Sequence, residues 1–131
     1  MLQIGYGDSS NGCYLYWLGG STTTNNAEFR CNKDKGDTFW IKKQGNDYLI
    51  GYNDCPLYWK AASGNKKNAE FRCGQTGDTF WIGLREDKKW AIGYENCPLY
   101  VDDVSGDTKN AEFRCGQPIK DVFWIKGKLK L

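Results

Sequence analysis

Apolar and polar residues alternate along this chain in short runs rich in aromatic and β-branched side chains, and Gly, Asn, Asp and Ser punctuate the runs. A period of two with such boundaries predicts β-strands, and no stretch carries the 3.6-residue period of an amphipathic helix. In the clearest stretch the strands fall at 48–52, 55–59, 69–73 and 79–82.

This pattern repeats. Asn-Ala-Glu-Phe-Arg-Cys begins at Asn26, Asn68 and Asn110, a period of 42. Cys13, Cys55 and Cys97 keep the same spacing, each with Leu-Tyr two and three positions later, and Ile-Gly-Tyr begins at Ile4, Ile50 and Ile92, the first copy displaced by extra residues within 7–12. Residues 26–67 and 68–109 are complete units, so 110–131 together with 1–25 must assemble the third from both ends. Spacing agrees: Trp81 stands 11 positions before Ile92, and Trp124 stands as far before Ile4 when the count runs through Leu131 and on from Met1. The last strand is therefore expected beside the first, closing a ring. Twelve strands in three copies exclude a propeller, which needs ~4–8 blades, and leave an all-β fold of the β-trefoil or three-sheet-prism kind in a single domain, 1–131.

One hairpin can be placed in register. Cys55 and Cys73 are symmetric about Gly64 in Ser63-Gly64-Asn65, so antiparallel pairing sets Cys55 opposite Cys73, Leu57 opposite Phe71 and Trp59 opposite Ala69. Alternation sends Cys, Leu, Phe and Ala to the core and Tyr58, Glu70 and Arg72 to the other face. Applied to each unit, the register pairs Cys13 with Cys31, Cys55 with Cys73 and Cys97 with Cys115, out of 15 possible connectivities. These are either disulfides worth ~3 kcal/mol each, as in a secreted protein, or small buried hydrophobes in a reducing compartment. The first ten residues carry neither a basic n-region nor an apolar h-region, an expectation of a chain that is mature or never targeted.

Composition narrows the chemistry. Lys and Arg total 18 against 16 Asp and Glu, scattered along the chain, so no basic footprint for nucleic acid exists. There is no histidine, which removes histidine bases, catalytic triads and the commonest metal ligand, and no carboxylate pair stands out; an enzyme, a metal site and a cofactor are not expected. No run approaches the ~18–20 apolar residues of a membrane helix. The unusual feature is aromatic content, with 6 Trp, 8 Tyr and 6 Phe.

The cysteine and tryptophan spacing resembles that of β-trefoil lectins of the ricin-B-like type, over essentially the whole chain. In that family each repeat has a cysteine, a second cysteine about 16–19 positions on, and a Trp about eight later within Gln-x-Trp. Here Cys55, Cys73 and Trp81 fit, as do Cys13, Cys31 and Trp40, and Cys97, Cys115 and Trp124. The motif reads Thr38-Phe39-Trp40, Thr79-Phe80-Trp81 and Val122-Phe123-Trp124, without Gln, and the Asp of the family's Cys-Leu-Asp is absent from Cys-Pro-Leu-Tyr and Cys-Tyr-Leu-Tyr. The resemblance thus implies a β-trefoil and a sugar-binding class, while the family's galactose site does not transfer.

Two sets of residues are candidates for the ligand. The first recurs in full: Tyr16, Asn26, Glu28 and Arg30; Tyr58, Asn68, Glu70 and Arg72; Tyr100, Asn110, Glu112 and Arg114. An aromatic face, a carboxylate acceptor and a forked donor suit a pyranose, which offers an apolar C–H face and vicinal hydroxyls. The alternative is a cross-strand Glu/Arg ladder on an exposed sheet face, with Asn serving the turn. The second set lies in the connections before the cysteines, Asp8 to Asn11, Asn53-Asp54 and Glu95-Asn96, with Tyr6, Tyr52 and Tyr94 before them and Trp17, Trp59 and Asp102 beyond. These side chains could wall a pocket, or the tyrosines could plug a barrel rim while Asp54, Glu95 and Asp8 shape turns. Trp40, Trp81 and Trp124, each with Phe and Ile beside it, are expected in the core. The expected function is a multivalent lectin, a monomer or small homo-oligomer whose partners are glycans or glycoproteins, with up to three equivalent sites reinforcing one another. The competing class is a protein-binding trefoil, either a protease inhibitor using residues 7–12 or a fascin-like cross-linker.

Overall fold

A computed structural model describes residues 1–7, 12–17, 24–33, 35–60, 64–85, 88–102 and 106–127. Twelve strands run through them: β1 (Leu2–Tyr6), β2 (Cys13–Trp17), β3 (Thr24–Cys31), β4 (Trp40–Gln44), β5 (Asp47–Tyr52), β6 (Cys55–Trp59), β7 (Lys66–Arg72), β8 (Trp81–Leu84), β9 (Trp90–Tyr94), β10 (Cys97–Val101), β11 (Thr108–Arg114) and β12 (Trp124–Gly127). The described residues hold no α-helix, and no helix is long and apolar enough to cross a membrane. All strand pairs are antiparallel, and the sheet curls.

The hairpin register is the one the symmetric cysteines predict: Leu57 faces Phe71, Tyr58 faces Glu70 and Trp59 faces Ala69, while Cys13 faces Cys31. Disulfides join Cys13 to Cys31, Cys55 to Cys73 and Cys97 to Cys115. The first and last strands meet, with β1 paired to β12 through Ile4 opposite Ile125 and Gly5 opposite Trp124. The same pairing recurs within the chain as Ile41 opposite Ile50 and Ile82 opposite Ile92. Double hydrogen-bonded bridges then link Leu2 to Phe39, Tyr48 to Phe80 and Trp90 to Phe123, at 2.6–2.9 Å. Strands β3, β7 and β11 pair with one another cyclically, the first half of β3 on the second half of β7, the first half of β7 on the second half of β11, and the first half of β11 on the second half of β3.

The core follows from the alternation. Ile4, Ile50 and Ile92, Leu15, Leu57 and Leu99, and six phenylalanines are buried. Those phenylalanines form three stacked pairs, Phe29 on Phe123, Phe39 on Phe71 and Phe80 on Phe113, with centroids 5.4–5.6 Å apart. Offset stacking adds about 0.5–1.5 kcal/mol per pair to the burial itself.

Two expectations need correction. Trp40, Trp81 and Trp124 are half-buried, and the core position belongs to the phenylalanine before each. Adjacent strand residues point to opposite faces, so Phe and Trp cannot both go inside. Each indole instead lies over the glycine opposite: a Cβ on Gly5, Gly51 or Gly93 would stand 1.9, 2.1 or 2.2 Å from the Cζ2 of Trp124, Trp40 or Trp81. The second correction concerns the face opposite the core, which is covered. Glu28, Glu70 and Glu112 are all buried, because the connections following β3, β7 and β11 fold across them.

Candidate functional site

The fold brings Tyr, Glu and Arg together in every copy. Arg30 Nε donates to Glu28 at 2.6 Å, Arg72 Nη2 to Glu70 at 2.7 Å and Arg114 Nε to Glu112 at 2.6 Å. Each guanidinium also lies 4.5 Å from the ring centroid of Tyr16, Tyr58 or Tyr100. The tyrosine oxygens hold the covering connections: Tyr16 donates to the Lys35 carbonyl, Tyr100 donates to the Pro118 carbonyl, and Tyr58 accepts from the Gly77 N–H at 2.7 Å. A buried carboxylate is tolerable only when paired in this way. The asparagines stand on neighbouring strands, Asn26 opposite Glu70, Asn68 opposite Glu112 and Asn110 opposite Glu28, so each row runs Tyr, Glu, Asn across three strands. Within each set the guanidinium pairs with the carboxylate and covers the tyrosine ring, and the arrangement works as a lock between hairpin and connection.

The second set gathers where one copy meets the next. Trp17, at the end of β2, stacks on Tyr52, at the end of β5, with centroids 5.0 Å apart and planes 14° from parallel. Trp59, at the end of β6, stacks on Tyr94, at the end of β9, at 4.9 Å and 15°. Behind each tyrosine stands a core phenylalanine, Phe39 at 6.0 Å and Phe80 at 6.1 Å. All four residues are half-buried, with the indole nitrogens of Trp17 and Trp59 turned inward.

Acids complete these junctions, and the sequence reading missed them. Asp37 accepts the Trp17 backbone N–H at 3.0 Å, Asp78 accepts that of Trp59 at 3.0 Å, and Asp121 accepts that of Val101 at 2.8 Å. The signal was present, since each aspartate stands two positions before the phenylalanine of its Phe-Trp pair. Burial holds the Asp78 carboxyl above the ordinary carboxylate range, although the Trp59 N–H and the Arg72 charge pull it down. Burial, the charges of Asp78 and Glu95, and a hydrogen bond with Glu95 raise the Tyr94 hydroxyl. Lys67 Nζ lies 4.6 Å from the Trp59 centroid.

Of the loop candidates, Glu95 joins the second junction, and its carbonyl accepts the Trp81 indole N–H at 2.8 Å. The Asp54 carbonyl accepts the Gly74 N–H at 3.0 Å. Asp54 also sits beside Cys55 and Cys73, a grouping of three potential metal ligands, but disulfide sulfurs supply no thiolate to a metal. Asp8 and most of the 7–12 segment lie outside the described residues. No family model, curated protein or solved structure matches this chain.

Proposed function

We propose that this chain is a β-trefoil carbohydrate-binding protein that engages glycans or glycoproteins at the junctions between its copies. The trefoil reading is supported by connectivity. Hairpins and bridges link β1, β4, β5, β8, β9 and β12 in succession and back to β1, as a six-strand barrel requires, and the other six strands form three hairpins meeting at β3, β7 and β11.

The observation that carries the functional reading is the half-buried Trp–Tyr stack with a carboxylate at its base. The aromatic surface suits the C–H face of a pyranose, and the carboxylate suits its hydroxyls. Such a site binds one sugar weakly, and linked sites on one molecule multiply avidity by ~10²–10⁴ when a glycan display lets them engage together. Three disulfides favour an oxidising compartment, where glycoconjugates are displayed.

A glycan array, run with and without a chelator and alongside a protease panel, tests the reading. Glycan binding that Tyr52→Ala and Tyr94→Ala weaken supports it. Protease inhibition without glycan binding replaces it with the inhibitor reading.

A further inference from the structure

The three junctions share one scaffold. Tyr6, Tyr52 and Tyr94 stand over Phe123, Phe39 and Phe80 at 6.0–6.1 Å. An aspartate accepts the backbone N–H at the end of β2, β6 and β10. The residue after each tyrosine, Gly7, Asn53 or Glu95, takes positive φ (92°, 49° and 49°). Equivalent backbone makes the side chains comparable position by position.

The junctions part company in three ways. Where the first two carry Trp17 and Trp59, the third carries Val101, which is buried at 3% exposure. Where Asp37 and Asp78 are half-buried, Asp121 is only 6% exposed, so its carboxylate is withdrawn from solvent. Where Asn53 and Glu95 project polar groups, Gly7 has none. Among the described residues, platform, accessible acceptor and rim group are thus all missing from the same junction.

We propose that the protein is a divalent lectin, binding one glycan at the Trp17–Tyr52 junction and one at the Trp59–Tyr94 junction, with the Val101 junction silent. This rests on the carbohydrate reading above and adds the number and place of the sites. The two sites differ. The second brings the carboxylate of Glu95 where the first has the amide of Asn53, so their affinities for one sugar separate. Two sites suffice to bridge two glycoconjugates.

Counting bound sugars by native mass spectrometry tests it, with methyl α-galactoside, methyl α-mannoside and methyl β-N-acetylglucosaminide as monovalent probes. The wild-type chain should saturate at two sugars. Trp17→Val and Trp59→Val copy what the chain itself carries at its third junction, and each should remove one site, weakening it about tenfold or more, while Tyr6→Phe leaves both. If a valine variant loses its fold by circular dichroism, Asp37→Asn and Asp78→Asn replace it, each weakening one site of the two. Saturation at one or three sugars, or two full sites remaining in W17V or W59V, overturns the divalent assignment while leaving carbohydrate binding in place. Zero sugars with every probe, together with a blank array, overturns both.

Discussion

The indole of Trp59 lies parallel to the ring of Tyr94, with centroids 4.9 Å apart, although the two residues belong to different copies of the repeat. The stack ties the end of β6 to the end of β9 and leaves both residues half-buried. Asp78 meets the same two residues, accepting the Trp59 N–H and raising the Tyr94 hydroxyl by its charge. Packing between copies and the proposed sugar platform are therefore one structure.

Acidity gives the first prediction. Because burial raises the folded pKa of Asp78, the folded state holds that proton more tightly than the unfolded chain. This carboxyl favours folding below its ordinary pKa of ~3.9, and the advantage is lost as pH rises through the raised folded value. Asp78→Asn should remove that slope from denaturation midpoints measured across the acidic range. It should also remove the step by which glycan affinity at this junction weakens on acidification, as the carboxylate acceptor gains a proton.

Glycine positions give the second. Gly51→Ala or Gly93→Ala drives a methyl into the Trp40 or Trp81 ring, and each should cost about 1–3 kcal/mol by urea denaturation. At Gly83 a Cβ meets nothing within 4 Å, so Gly83→Ala should be neutral or slightly stabilising.

The Tyr–Glu–Arg rows give the third. Glu70→Ala unpairs Arg72 and breaks the lock under the Gly77 connection, and should destabilise by about 1–3 kcal/mol. Glycan affinity of the folded protein should stay unchanged, which separates these rows from the junctions as the contact surface.

The disulfides give the fourth. Thiol titration of the unfolded, unreduced chain should find no free cysteine among the six. Replacing Cys55 and Cys73 together by Ala should lower stability by roughly 3 kcal/mol on the loop-entropy estimate.

Register and core were legible because one symmetry decided them. Placing Cys55 and Cys73 about Gly64 fixes which face every residue of β6 and β7 takes. The position of Trp81 was not: it was expected in the core, but Phe80 fills that place and the indole lies outside over Gly93, a pairing of β8 with β9 that the run Phe-Trp-Ile does not encode. Burial of Glu70 was not legible, because it depends on the 74–79 connection folding back onto Tyr58, a contact that strand periodicity does not encode. Stacking between copies was equally hidden. Trp59 and Tyr94 were visible as neighbours of loops, but their meeting depends on how β6 and β9 lie across the copy boundary.

The most direct test of sugar binding at the junctions is a ¹H–¹⁵N spectrum of the indole N–H signals of the six tryptophans, titrated with the strongest methyl glycoside from the array. Trp17 and Trp59 should both shift, each along its own binding curve, while Trp40 and Trp81, whose N–H groups are tied to the Asn53 and Glu95 carbonyls, stay nearly fixed. A titration in which Trp17 and Trp59 stay still while other residues shift would contradict the account.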